Sequence, residues 1–229
     1  MKIVIISDLH GNLEAWNSFP EKEWDELWVL GDLVNYGPNP AEVIDALRPK
    51  ATLIVRGNHD HAVGYEDDSK WSERYRSTAQ ATRRFTNASI TADQKSYLQG
   101  LPLTVAAERD GLRFQLVHAR PSNPLYGRLS QDADEWIEEV GDLDADVLLV
   151  GHTHQQFIRR IGRKILLNPG SIGQPRGGGT AARYAVWDET GFELRSYEYP
   201  KDKTVERLRA IGFDPSVEAE LIATLEGRS

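Results

Sequence analysis

At 229 residues and a net charge of −8, the chain is long enough for one sizeable domain and too acidic to carry the basic footprint of a general nucleic-acid binder. It has no cysteine, so neither a disulfide framework nor a thiolate ligand or nucleophile is available. Its longest apolar runs, such as Ile3 to Ile6 and Val147 to Val150, are far too short to span a bilayer, and the N-terminus opens on a strand pattern with no signal peptide. The expectation is a soluble cytoplasmic protein with no membrane contact.

The N-terminal quarter alternates strand and helix. Lys2 to Ser7 is a continuous isoleucine-rich run, the pattern of a strand buried on both faces. Asn12 is placed to cap a short helix through Trp16. Leu27 to Leu30 reads as a second strand, and Asn35-Tyr36-Gly37-Pro38-Asn39-Pro40 as a loop. Pro40 to Leu47 reads as a helix with proline in its first turn, and Thr52 to Arg56 as a third strand. This βαβαβ order predicts a parallel sheet with helices on its faces.

From about 69 to 99 the pattern is helical. Trp71, Tyr75, Thr78, Thr82 and Phe85 lie near one stripe, and a second helix starts near Thr91. Two compatible roles follow: a helical hairpin packed on the core, or a cap inserted over a site. Strands resume at Leu103 to Ala107 and Leu112 to Val117 across a turn at Asp110-Gly111. Asp132 to Val140 predicts an amphipathic helix. Val147 to Val150, Phe157 to Ile161, Lys164 to Leu167, Arg183 to Trp187 and Phe192 to Tyr199 predict strands, and Thr204 to Ile211 and Ser216 to Leu225 helices. The second half therefore reads as mostly antiparallel. Arg176-Gly177-Gly178-Gly179 is expected to be a mobile loop.

Five polar clusters interrupt this framework: Asp8-Leu9-His10, Gly31-Asp32, Gly57-Asn58-His59-Asp60, Val117-His118 and Gly151-His152-Thr153-His154. They hold five of the six histidines, and all come directly after predicted strands. Each is weak alone. Asp32 or Asn58 would serve as an ordinary cap, and His118 as a satisfied core histidine. The two-residue spacings Asp8/His10 and His152/His154 put both side chains on one side of an extended segment. Together, mostly at the carboxyl ends of successive strands, they mark the edge where ligands bind in open α/β sheets. Oxygen and imidazole donors suit manganese, iron, zinc, cobalt or nickel, and a shared carboxylate would let the set serve two ions. His61, the sixth histidine, is expected at the surface or behind the ligands.

The ordered blocks Asp8-Leu9-His10-Gly11-Asn12, Gly31-Asp32, Gly57-Asn58-His59-Asp60, His118 and Gly151-His152-Thr153-His154 resemble the calcineurin-like metallophosphoesterase superfamily. Compact size and Asn168-Pro169-Gly170-Ser171 resemble its small bacterial and archaeal phosphodiesterase branch. The chain departs from that pattern at Ala119-Arg120, where the family commonly has glycine, and in its glycines at 177 to 179. The resemblance implies an α/β fold, a four-layer sandwich of two mixed β-sheets flanked by helices, here with a helical cap insertion in one domain spanning 1–229. It implies two divalent metal ions, manganese first among the candidates. Asp8, His10 and His154 would hold one ion, Asn58, His118 and His152 the other, with Asp32 bridging. His59 would face the substrate phosphate, and Asp60 would orient His59.

The expected reaction is direct attack on phosphorus by solvent that the two ions acidify, with His59 stabilising charge or protonating the leaving oxygen. Two divalent ions against Asp8 and Asp32 leave a formal charge of about +2, which suits a small anionic phosphorylated substrate. A phosphodiester is the leading expectation. A phosphomonoester or phosphoprotein, and a dinucleotide polyphosphate or other nucleotide, are alternatives; a metal-binding scaffold is the non-enzymatic one. Tyr36 or Trp71 would stack a base, and Arg120 and Arg176 would meet phosphate.

Overall fold

The computed structural model describes residues 1–70, 73–176 and 179–228, so Trp71 and Gly177-Gly178 lie outside the described residues. The N-terminal strands β1 (Ile3–Ile6), β2 (Glu26–Val29) and β3 (Leu53–Ile54) run parallel, as the βαβαβ pattern predicts. Helices α1 (Leu13–Asn17) and α2 (Pro40–Leu47) connect them. Asn12 caps α1 by accepting from the Ala15 amide. A helix the sequence reading leaves out, α3 (Asn58–Tyr65), starts immediately after β3. Helix α4 (Arg76–Ser89) and helix α5 (Ala92–Gly100), capped by Thr91, complete the helical segment.

The second half holds β4 (Thr104–Arg109), β5 (Leu112–Val117), α6 (Glu135–Gly141), β6 (Val147–Leu149), β7 (Phe157–Ile161), β8 (Lys164–Asn168), β9 (Ala182–Asp188), β10 (Gly191–Tyr197), α7 (Lys201–Ile211) and α8 (Pro215–Leu225). One sheet has the order β10-β9-β1-β2-β3 and the other β4-β5-β6-β8-β7. Both are mixed. The hairpins expected from turn residues form, but β5, β6 and β8 pair in parallel, and the β9–β10 hairpin joins the first sheet against β1. The mostly antiparallel reading holds, with four of the six pairings of these strands antiparallel, and the two parallel ones join strands across crossovers, where turn chemistry gives no signal and packing sets the pairing.

Alternation along the strands builds the layers. Ile3 and Ile5 on β1 and Trp28 on β2 face Phe114, Leu116, Val147, Leu149 and Leu167 of the other sheet. Val4, Ile6, Leu27 and Val29 point the other way, into Trp16, Val43, Ile44 and Leu47 of α1 and α2. The outer face of the second sheet buries Leu148 and Leu166 under Trp136 and Val140 of α6. The result is the expected four-layer arrangement, helices outside two packed sheets. Helices α4 and α5 of the predicted helical segment pack rather than standing off. Thr78, Ala79, Thr82 and Thr86 are buried on α4, and Phe85 meets Phe213 edge to face at 5.6 Å. No described helix is long and apolar enough to cross a membrane.

Candidate metal centre at the seam between the sheets

All five polar clusters arrive at one edge, because β1, β2 and β3 end there in the first sheet and β5, β6 and β8 in the second. Past the strand ends the chains still run together: Asp8, His10 and Gly11 donate their amides to the carbonyls of Gly31, Asp32 and Leu33. Among the described residues nine non-glycine positions have positive φ, and seven are here: Asp8, His10, Asp32, Asn35, Tyr36, His152 and His154. Such backbone is costly for L-residues and persists where the surroundings impose it, which is characteristic of functional sites. Glycine permits two close approaches. A Cβ on Gly57 would lie 2.0 Å from Asp32 Oδ1, and one on Gly151 2.1 Å from Ser7 Oγ.

The side chains converge in two groups. In the first, His154 Nε2 lies 3.2 Å and His10 Nε2 3.8 Å from Asp8 Oδ1, and the two Nε2 atoms are 3.1 Å apart. In the second, Asn58 Oδ1 lies 3.0 Å from His118 Nε2 and 2.9 Å from His152 Nδ1. Asp32 Oδ2 stands between them, 3.8 Å from His10 Nε2 and 3.3 Å from His118 Nε2. Each group draws on both sheets, so the centre exists only once the sheets have packed.

The donor chemistry fits cations. His10 Nδ1 faces the Val34 carbonyl at 3.2 Å and His154 Nδ1 the Gln174 carbonyl at 2.6 Å. Those acceptors hold the protons on Nδ1 and leave two lone pairs pointing at one place. Two imidazole nitrogens bound to one tetrahedral ion at about 2.0–2.1 Å stand roughly 3.3 Å apart, close to the spacing here. Asp8 Oδ1 is buried with no hydrogen-bond partner. His118 has acceptors on both nitrogens, Leu30 O at 2.7 Å on Nδ1 and Asn58 with Asp32 on Nε2. Burial opposes its charged form, but Asp32 and Asp8 outweigh burial and push it up to about 9: this pocket calls for positive charge. Burial and the other imidazoles instead keep His10 well below its ordinary value and His152 down to about 3, the neutral form a ligand needs. Asp8 is held down to about 2 by His154 and His118 against the cost of burial. The sets Asp8/His10/His154 and Asp32/His118/His152 are each compact enough to hold an ion.

His59 lies beside the cluster. Its backbone amide donates to Asp32 Oδ1 at 2.8 Å, and its ring meets His10 edge-on at 5.0 Å and Tyr36 at 4.6 Å. Burial lowers it to about 4, so it is neutral at pH 7. The group at its Nδ1 is Asn35, whose Nδ2 sits 2.9 Å away. This corrects the expectation for Asp60, which does not orient His59. Its carboxylate accepts from the amides of Asp32, Leu33 and Gly57 at 2.8, 2.8 and 3.0 Å. As the third residue of α3 it reaches back to the helix start and ties the Asp32 loop to it. Burial and Asp32 push it up to about 7, while the amide donors favour its charged form.

The remaining positions divide. Tyr36 and Arg176 line an open cleft over the cluster, together with Lys70, Tyr75, Tyr126 and Arg128. The sequence reading passes over Tyr126 and Arg128, which sit in an irregular loop with no periodicity or motif. Arg120 is not in this cleft. It pairs with Glu139 of α6 at 3.4 Å, and its side chain lies under Gly127, so the substrate role expected for it is withdrawn. Ala119 is buried where the family commonly has glycine, its amide bonded to the Pro124 carbonyl. His61 is half-buried, its ring against Tyr65 at 4.7 Å. The Asn168 to Ser171 segment braces the site: Asn168 Nδ2 donates to the Gly151 carbonyl and Thr153 Oγ1, and Ser171 Oγ to the Asp8 carbonyl.

The calcineurin-like phosphoesterase superfamily domain matches residues 1–191. An uncharacterized protein of Methanocaldococcus jannaschii is 31% identical, with 90% of this chain and 91% of that protein aligned. The phosphodiesterase YfcE of Escherichia coli is 28% identical over 82% of this chain and 88% of its own. The crystal structure of a metallophosphoesterase from Sphaerobacter thermophilus superposes with a TM-score of 0.82 at 26% identity, covering 100% of this chain and 99% of that one. Fold and site together define a metal-dependent hydrolase of phosphate esters. The chain belongs to the calcineurin-like phosphoesterase superfamily.

Proposed function

We propose that the protein is a phosphodiesterase working with two divalent metal ions on a small phosphorylated substrate. Asp8, His10 and His154 would hold one ion, Asn58, His118 and His152 the other, and Asp32 would bridge them. The observation that carries this reading is Asp32 Oδ2, within 3.8 Å of a ring nitrogen in each ligand group. Bound there, the ions would acidify a shared water and neutralise charge on the phosphate oxygens.

The chain's own residues supply the rest. Asp60 holds the Asp32 loop at a fixed distance from Asn58 through three amide bonds. Asn35 at Nδ1 keeps the His59 proton on Nε2, and burial keeps the ring neutral. His59 is thereby a hydrogen-bond donor to a phosphate or leaving oxygen rather than an extra cation. The whole chain acts as one domain, with 69–99 contributing a wall of the cleft through Lys70 and Tyr75.

The test is Asp32→Asn with metal stoichiometry read by elemental analysis. Occupancy of both sites falls together if Asp32 bridges them, and unchanged stoichiometry refutes the bridge. Turnover of bis-aryl phosphates, aryl monophosphates and dinucleotides with manganese, iron, zinc, cobalt or nickel ranks the diester reading against the monoester and nucleotide ones. Manganese is the expected best metal, and among substrates with a single phosphate the diester is the expected best one.

A further inference from the structure

We propose that Arg128 and Arg176 form a second anion subsite on the rim of the cleft, which takes a phosphate next to the one being cleaved. The preferred substrates are then organic phosphates with at least two linked phosphate groups, rather than isolated phosphodiesters. This rests on the phosphoesterase reading of the floor.

Several arginines elsewhere sit against acids, among them Arg83 with Asp68, Arg109 with Glu26, Arg113 with Asp146, and Arg195 with Glu21. Arg128 lines the cleft and makes no hydrogen bond or ion pair among the described residues. Arg176 has no carboxylate partner there either. Its Nη2 donates to Gln174 Oε1 at 3.2 Å, its guanidinium lies 5.6 Å from the Tyr75 ring centre, and its Nε is buried without a partner. Arg128 is exposed at the rim, where partial desolvation and then the neighbouring Arg176 disfavour its charge. Two guanidiniums held in one cleft with no carboxylate bonded to either, in a chain of net charge −8, constitute a site for an anion.

Charge decides the kind of anion. With two divalent ions against Asp8 and Asp32 the floor carries about +2, and the two arginines with Lys70 raise the lining to about +5. A phosphodiester brings one negative charge. A linked diphosphate brings two or three, and each added oxygen is an acceptor for a planar guanidinium fork. Asp32, Asn58 and His152 of the floor and both arginines line the same cleft, so one ligand meets both.

The experiment compares AMP with the non-hydrolysable α,β-methylene analogue of ADP as competitive inhibitors of bis(4-nitrophenyl) phosphate turnover by the metal-loaded protein. The expected preference for the diphosphate is roughly tenfold or more, as charge-assisted contacts supply. Arg128→Gln and Arg176→Gln each reduce it to within about threefold, and Arg128→Lys retains part of it. A wild type without preference, or a preference intact in both glutamine variants, overturns the proposal. Absence of diester turnover would fault the activity assigned to the floor, not the subsite. In that case calorimetric titration with the same two nucleotides decides: loss of the diphosphate preference in Arg128→Gln supports the subsite, and retention overturns it.

Discussion

Asp32 is 1% exposed, its backbone amide held by Asp60 and its carboxylate by His59 and the cluster, whereas Arg128, across the same cleft, is reached by solvent and bonds nothing among the described residues. The floor is pre-organised: its rings have assigned tautomers, and its backbone is held at positive φ by bonds between the loops. The rim is loosely held, with long side chains in an irregular loop and on a short turn. A rigid floor suits chemistry, which gains from groups that need not reorganise as charge develops. A solvated rim suits selection, because each contact with a ligand there replaces water rather than a structural bond. Substitutions in the floor should therefore change rate or metal content, and those in the rim should change which ligand is preferred.

The largest effect is expected at His59. His59→Ala should keep both metals and lose roughly 10²–10⁴-fold in kcat, the range for a positioned proton donor. Full activity with full metal content would remove His59 from the chemistry and weaken the contrast. Next is Asp60→Asn, which replaces one acceptor oxygen with an NH2 donor set against backbone N–H groups and leaves at least one of them unsatisfied. Metal affinity should drop roughly 10–100-fold, as when supports behind ligands are lost. Titration with manganese measures this, and unaltered affinity would make Asp60 a mere helix cap.

Asn35→Ala should have a milder consequence. With nothing holding the proton on His59 Nε2, kcat should fall roughly tenfold, the worth of one hydrogen bond, with KM nearly unchanged. A rise in KM with kcat unchanged would point to a binding role instead.

The smallest effect on activity is expected outside the cleft, at Glu21. It accepts from Lys2, Tyr184 and Arg195 at 2.5, 2.7 and 2.7 Å, tying β9 and β10 to the start of β1. Burial opposes its charge, but these donors outweigh burial and hold the carboxyl down to about 2 against an ordinary 4.5. A lowered pKa means stabilisation that is full above about 4.5 and lost as the pH falls towards about 2. After allowance for screening this amounts to roughly 2 kcal/mol. Glu21→Gln should flatten the acid limb of a Tm–pH profile and leave turnover at neutral pH alone. An unchanged limb would assign the acid sensitivity elsewhere.

The metal-binding floor was legible in the sequence because ligand chemistry restricts residue types and strand ends restrict their positions. Asp8, Asp32, Asn58, His118, His152 and His154 each follow a readable strand, and a parallel sheet puts such ends on one edge. The helix cap Asn12 was legible too, since its bond is local. What lay out of reach depended on partners distant in the chain. Asp60 sits next to His59 in sequence but spends its oxygens on the Asp32 loop; Asn35, 24 residues away, is the group that meets the imidazole. Arg120 and Arg128 are both arginines on one irregular loop. Only tertiary packing sends the first to Glu139 and the second into the cleft. Local bonding and periodicity act over a few residues and are written in the order of the chain, whereas side-chain destination in a loop depends on which distant surface closes over it.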